Sequence, residues 1–150
     1  MKPMIKIIET DIVIDFLRGK DQKINEKINE LINQGVDLRI TQITICELWY
    51  GVYRLKSKKK QISEGKKLNK FILNFPEILT LDNYSSKIYG EICAELDNKG
   101  LRVPQFDLLN ASIAIANKII LITRDKHHFS RINDLSEFDF LELWQFPDSN

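Results

Sequence analysis

The sequence predicts an α/β fold, a sandwich of helices on both faces of a central, mainly parallel sheet of four to five strands. Three observations predict it. Short apolar runs at Ile5–Ile8, Leu38–Thr41, Ile78–Leu81 and Ile119–Ile122 alternate with longer stretches of helical periodicity, as parallel strands joined by crossover helices require. The run Ile119-Ile120-Leu121-Ile122 is apolar throughout, the pattern of a strand covered on both faces. With 150 residues, 43% of them hydrophobic, the chain can bury one real core, and residues 1–150 read as one domain without a linker or an internal repeat.

The elements follow in order. Ile5–Ile8 is a short buried strand, and Asp11 onward forms the first turns of a helix. Glu9 and Thr10 then sit at the carboxyl end of a strand, where open α/β sheets place ligands. Thr10 and Asp11 suit a helix cap, whereas Glu9 is a poor one. Residues 22–34 carry Ile24, Ile28, Leu31 and Ile32 at helical spacing, stopped by Gly35. After the strand Leu38–Thr41, a helix started by Thr41 or Thr44 runs through Ile43 to Tyr53. Ile45, Leu48, Trp49 and Val52 form its core stripe, and Ile43, Cys46 and Tyr50 make the opposite face apolar as well. That pattern predicts a buried helix whose single charge is Glu47.

Residues 54–70 are basic: Arg54, Lys56, Lys58, Lys59, Lys60, Lys66, Lys67 and Lys70 stand against one acid, Glu64. The whole chain carries only +1, so a basic helical arm, about 54–75, is set against an acidic body. This polarity suits a polyanionic ligand, with Lys56, Lys58, Lys59 and Lys60 as its contacts. Leu68, Phe71, Ile72 and Phe75 give the arm an apolar face, for packing inward or for a second chain. Pro76 ends it, Ile78–Leu81 reads as a third strand, and Asp82 or Asn83 caps a helix ending at Asn98-Lys99-Gly100. The helix after Pro104 is apolar with small residues, and its lone charge is Asp107 at the start, where an acid serves equally as cap or ligand. Thr123-Arg124-Asp125 follow the apolar strand. His127 and His128 read as exposed loop residues, Phe138–Leu143 as an edge strand and Pro147–Asn150 as a frayed tail.

No apolar run approaches the ~20 residues that span a bilayer, and no signal peptide is recognisable at the start. Cys46 and Cys93 lie in apolar helical patterns, as reduced core residues of a cytoplasmic protein do.

Four acids remain at informative places: Glu9 and Asp125 after central strands, Glu47 and Asp107 on apolar helices. Brought together they would repel, and a hard divalent cation relieves such repulsion. Oxygen donors favour Mg²⁺ or Mn²⁺ over zinc, and such a centre activates water against a phosphodiester.

The segments Glu9-Thr10-Asp11-Ile12-Val13-Ile14-Asp15, Ile43-Thr44-Ile45-Cys46-Glu47-Leu48-Trp49-Tyr50-Gly51, Phe106-Asp107-Leu108-Leu109-Asn110-Ala111-Ser112-Ile113-Ala114 and Thr123-Arg124-Asp125 together resemble a PIN domain, in particular the VapC-type toxins of toxin–antitoxin pairs. The resemblance covers nearly the whole chain, in order. It implies a PIN-like fold and a Mg²⁺-dependent endoribonuclease acting on RNA, often tRNA. It also implies a homodimer neutralised by a cognate antitoxin. The catalytic acids fall on Glu9, Glu47, Asp107 and Asp125, with Glu9 and Asp107 as the metal-binding pair. Thr10, Asp11 and Thr123 fall on supporting polar positions. One departure stands out: the family's first acid is Asp, and here it is Glu9.

Three other readings compete. A module of the same fold could bind RNA or antitoxin without cutting, which Glu9 favours and the other three acids oppose. A doubly wound phosphatase needs a nucleophilic Asp where Glu9 stands. A metal-free ribonuclease needs a general acid and base on opposite sides of a phosphate, which adjacent histidines do not supply.

Overall fold

Four parallel strands form the sheet in the computed structural model, which describes residues 3–146; the tail expected at Pro147–Asn150 lies outside them. They are β1 (Ile5–Ile8), β2 (Asp37–Arg39), β3 (Ile120–Thr123) and β4 (Leu141–Leu143), in the order β2-β1-β3-β4. Both middle strands are the apolar ones. Ile7 pairs with Arg39 on one side and Leu121 on the other, and Ile8 with Ile122.

Side chains alternate along a strand, so β1 feeds two cores. Ile8 and Ile122 face a cluster with Ile12, Ile24, Ile28, Ile45 and Leu48. These come from α1 (Thr10–Arg18), α2 (Gln22–Asn33) and α3 (Gln42–Tyr53). α4 (Lys58–Ile72) adds Leu68 to the same side. Ile7 and Leu121 face the opposite cluster, with Ile92, Leu108, Ile113 and Phe129. Those belong to α5 (Asn83–Asn98), α6 (Gln105–Asn117) and α7 (Lys126–Asn133). The result is the expected three-layer sandwich.

Caps explain where the helices start. Thr41, not Thr44, caps α3, its hydroxyl accepting from the Thr44 N–H at 3.1 Å. Asp82 caps α5 through a reciprocal box with Ser85. At the end of α1, Gly19 adopts φ 64°, where a side chain would be strained.

Three expectations need correction. Ile78–Leu81 is not a sheet strand: of these four residues Leu79 alone pairs, in one isolated bridge with Thr41. α3 is not buried all round, for Tyr50 is 68% and Tyr53 66% exposed. Cys46 is also exposed and so is no core residue. A single layer of helices covers the sheet here, so among the described residues the outer face of α3 is covered only on the flank taken by α4. The basic arm packs back on that flank. A Cβ at Gly65 of α4 would stand 3.3 Å from Trp49 Cζ3, and Phe71, Ile72 and Phe75 pack against the core. Among the described residues no helix is long and apolar enough to cross a membrane.

Candidate functional site

β1 and β3 run side by side and parallel, so their carboxyl ends share one edge of the sheet. Glu9 follows β1 directly, its N–H donating to Ile122 O at 2.9 Å. Its side chain is 4% exposed, and Oε2 accepts from the Asp11 N–H at 3.1 Å. Glu9 is thus the N-cap of α1, against the expectation from residue preference. The longer side chain folds back to reach a donor that Asp or Ser would meet directly. Burial, and then neighbouring Asp11, push the Glu9 carboxyl up to about 9.

Asp11 fastens α1 to the turn after β3. It accepts from the Arg124 N–H at 2.9 Å and from the Thr123 hydroxyl at 3.1 Å. Arg124 extends the clamp to Asp15 and Asp21, at 3.0 and 3.1 Å. Thr10 acts on the other side. Its hydroxyl donates to Glu47 Oε1 at 2.7 Å and stands 2.9 Å from the Thr44 hydroxyl. Because a hydroxyl has one proton to give, Thr44 is then the donor to Thr10. Burial holds the half-buried Glu47 carboxyl above its usual range, the Thr10 hydrogen bond opposing and Asp11 adding to the effect.

Asp107 lies in the first turn of α6 but is not its cap; that place belongs to Pro104. Burial, then Asp125, push its carboxyl up to about 7, with smaller contributions in the same sense from Glu47 and Asp11. Asp125 caps α7, accepting from the His128 N–H at 3.1 Å. Burial would raise its carboxyl, but the hydrogen bonds from the His128 side chain and backbone outweigh that and hold it low. His128 Nδ1 is 2.7 Å from Asp125 Oδ2 and 3.8 Å from Asp107 Oδ2.

Asp107, Asp125 and His128 therefore bring one donor atom each within 4.8 Å of one another. Two carboxylates and an imidazole fit a divalent cation, and Asp107, raised first by burial, is raised further by neighbouring Asp125, a repulsion that a cation relieves. Glu9 is outside this trio, although Asp107 adds slightly to the rise of its carboxyl. Lys56, Lys58, Lys59 and Lys60 are exposed before and along the first turn of α4.

Two residues of this region went unread in the sequence. His128 reads in the sequence as an exposed loop residue, but α7 begins at Lys126, so it stands in the first turn and reaches back to Asp125. The signal was the Asp-x-x-His spacing of a cap and its third helical residue. His127 is exposed, as expected. Asn110, wholly buried, accepts from the Thr41 hydroxyl and so ties the start of α3 to α6. Its signal was an amide one turn after Asp107 in a helix that is otherwise apolar.

Comparison with known proteins fits this geometry. The PIN domain family model matches residues 6–135. Ribonuclease VapC2 of Rickettsia felis is 34% identical over 141 residues, 94% of this chain and 98% of that protein. The tRNA(fMet)-specific endonuclease VapC of Salmonella typhimurium is 27% identical over 128 residues, 84% of this chain and 90% of its own. Among solved structures, the VapBC2 complex from Rickettsia felis bound to a promoter DNA fragment contains a chain with TM-score 0.77 and 30% identity. That match covers 95% of this chain and 100% of its counterpart. FitAcB from Neisseria gonorrhoeae gives TM-score 0.75 at 26% identity, covering 87% of this chain and 94% of its own. With a match that runs from β1 through α7, the chain belongs to the PIN domain family, among its VapC-type members.

Proposed function

We propose that this chain is the toxin of a toxin–antitoxin pair, a Mg²⁺- or Mn²⁺-dependent endoribonuclease restrained by a cognate antitoxin protein. The observation that carries the reading is the approach of Asp107 to Asp125 and His128, beside Glu47 and Glu9, at the carboxyl edge of the sheet. The names of the relatives support it: ribonuclease, tRNA-specific endonuclease, and complexes of VapC with VapB.

Asp107 and Asp125 would hold the cation, with Glu9 close beside them. Bound there, a divalent cation supplies a Lewis acid for the scissile phosphate and lowers the pKa of a water. The chain's own residues do the rest. Thr10 and Thr44 hold Glu47 with its carboxylate toward the shared edge, where it can accept a proton from an attacking water. Asp11, through Thr123 and Arg124, fixes the turn that presents Asp125. The lysines at 56–60 hold the flanking phosphates of RNA, tRNA among the candidate substrates. The protein works as a homodimer in the cytoplasm, with the uncovered outer face of α3 available to a second copy.

Glu9 favours a second reading, a weakened nuclease that chiefly binds RNA or antitoxin. Its carboxylate is occupied as a helix cap and held at about 9, so near neutral pH it carries a proton and is a poor cation ligand.

The test is cleavage of total tRNA with graded Mg²⁺, Mn²⁺ or chelator, comparing this protein with Asp107→Asn. The nuclease reading expects cleavage that depends on the cation, leaves 5′-phosphate ends and is lost in the variant. Cation-independent cleavage leaving cyclic phosphate ends would sink it, and binding without cleavage would favour the second reading.

A further inference from the structure

Oxygen ligands alone would make this a Mg²⁺ centre, and His128 is the residue that departs from that. We infer that His128 Nδ1 is itself a ligand of the cation held by Asp107 and Asp125, and that this nitrogen donor selects Mn²⁺ over Mg²⁺. The inference rests on the cation reading of the same site.

Geometry carries it first. Donor atoms that share a small divalent ion at ~2.1 Å stand roughly 3–4 Å apart. His128 Nδ1 is 3.8 Å from Asp107 Oδ2, inside that range, and 2.7 Å from Asp125 Oδ2, a hydrogen-bond distance that has to open by only a few tenths of an ångström for both atoms to face one ion. The atom's position is also fixed from the backbone. The same Asp125 that meets the ring accepts the His128 N–H at 3.1 Å, so the ligand and its helix turn are one unit. His127 does not share this, its ring standing edge-on to His128 and exposed.

The chemistry follows from the donor. Mg²⁺ prefers oxygen and sheds water reluctantly, whereas the later divalent ions bind imidazole more strongly. Two carboxylates keep the site hard enough for Mn²⁺, and the nitrogen tips the balance between the two. Without a cation, Nδ1 is the hydrogen-bond partner of Asp125; as a ligand it offers its lone pair to the ion instead, with the ring hydrogen on Nε2. The ring is about one-third exposed, so solvent can carry the exchange.

The experiment loads the purified full chain with Mn²⁺ and records pulsed EPR for coupling to a directly bound ¹⁴N nucleus. Alongside it, competition titration measures the ratio of Mn²⁺ to Mg²⁺ affinity. The expected result is nitrogen coupling in the unaltered protein and in His127→Gln, absent in His128→Gln, with the affinity ratio falling ~10-fold in the latter. Bound Mn²⁺ with no nitrogen coupling in the unaltered protein, or a ratio unchanged in a folded His128→Gln, overturns the inference and leaves His128 as a hydrogen-bond partner of Asp125. Failure to bind either ion, or binding indifferent to Asp107→Asn, overturns the cation reading itself and this inference with it.

Discussion

Thr10 and Glu47 lie 37 positions apart in the chain, yet the Thr10 hydroxyl donates to Glu47 Oε1 across 2.7 Å. This bond links the helix that follows β1 to the middle of α3, and Thr44, one turn earlier in α3, meets Thr10 from behind. A half-buried carboxylate that would otherwise sample several rotamers is held at the edge of the sheet. Thr10→Val keeps the shape and removes both hydrogen bonds. Leaving the Thr44 hydroxyl and Glu47 without their partner costs ~1–3 kcal/mol, or several degrees in Tm. Cleavage of RNA should fall at least ~10-fold, since misplaced catalytic groups lose far more rate than stability. Thr10→Ser should recover most of both. Melting curves and a cleavage assay on the three proteins decide it, and equal rates would remove Thr10 from the site.

Glu9 sets a pH dependence of stability in the absence of divalent ions. Its carboxyl, ordinarily at 4.5, is held at about 9, so the folded chain keeps its proton more tightly than the unfolded one does. That contribution is complete below 4.5 and is lost as pH rises through about 9. Asp107 acts in the same sense between 3.8 and about 7. In chelator, Tm should therefore decline from mildly acid to alkaline pH. Glu9→Gln, which cannot ionise, should flatten the decline and melt higher than the unaltered protein at alkaline pH. Near pH 4.5 the two should melt alike. Parallel pH curves for the two proteins would mean that Glu9 is ionised throughout.

The lysines at 56–60 are exposed, and α4 meets the body of the protein through its opposite, apolar face. If they contact RNA, changing each to Gln should weaken binding without selecting among sequences. Each lost phosphate contact should reduce the slope of log affinity against log salt by ~0.7–0.9. Filter-binding titrations at several salt concentrations give the slope. A slope unchanged after all four substitutions would make the arm a solvated face.

Most of the fold was legible because its signals are local. Apolar runs marked β1 and β3, and Thr41, Asp82 and Gly19 or Gly35 behave at helix ends as their chemistry dictates. What failed was whatever depended on neighbours. Ile78–Leu81 has the composition of a strand, but only Leu79 finds a partner. Tyr50 and Cys46 read as core because α3 is apolar, yet among the described residues no second layer covers them. At the site, the positions of the four acids were readable from strand ends and lone charges in apolar helices. Their partners were less so. His128 depended on where α7 begins, and Glu9 became a cap by folding back on Asp11, which residue preference argues against.

The last prediction follows from that fold-back. In Glu9→Asp the carboxylate is one methylene shorter, and Asp is among the preferred capping residues. It can accept from the first turn of α1 without folding back, so the cap survives and Tm should change by no more than a few degrees. One fewer rotatable bond also lowers the entropy cost of holding the group. The carboxylate retreats by about 1 Å toward the end of β1, and a shift of that size at reacting groups can be worth on the order of 10²-fold in rate. The shorter reach is the change expected to favour cation binding. Mg²⁺-dependent cleavage should therefore rise at least ~10-fold while stability hardly moves. Paired assays on total tRNA, with and without Mg²⁺ and alongside thermal melts, measure the two quantities independently. Equal rates would show that the site works with Glu9, and a large loss of Tm would show that the longer side chain is needed to cap α1.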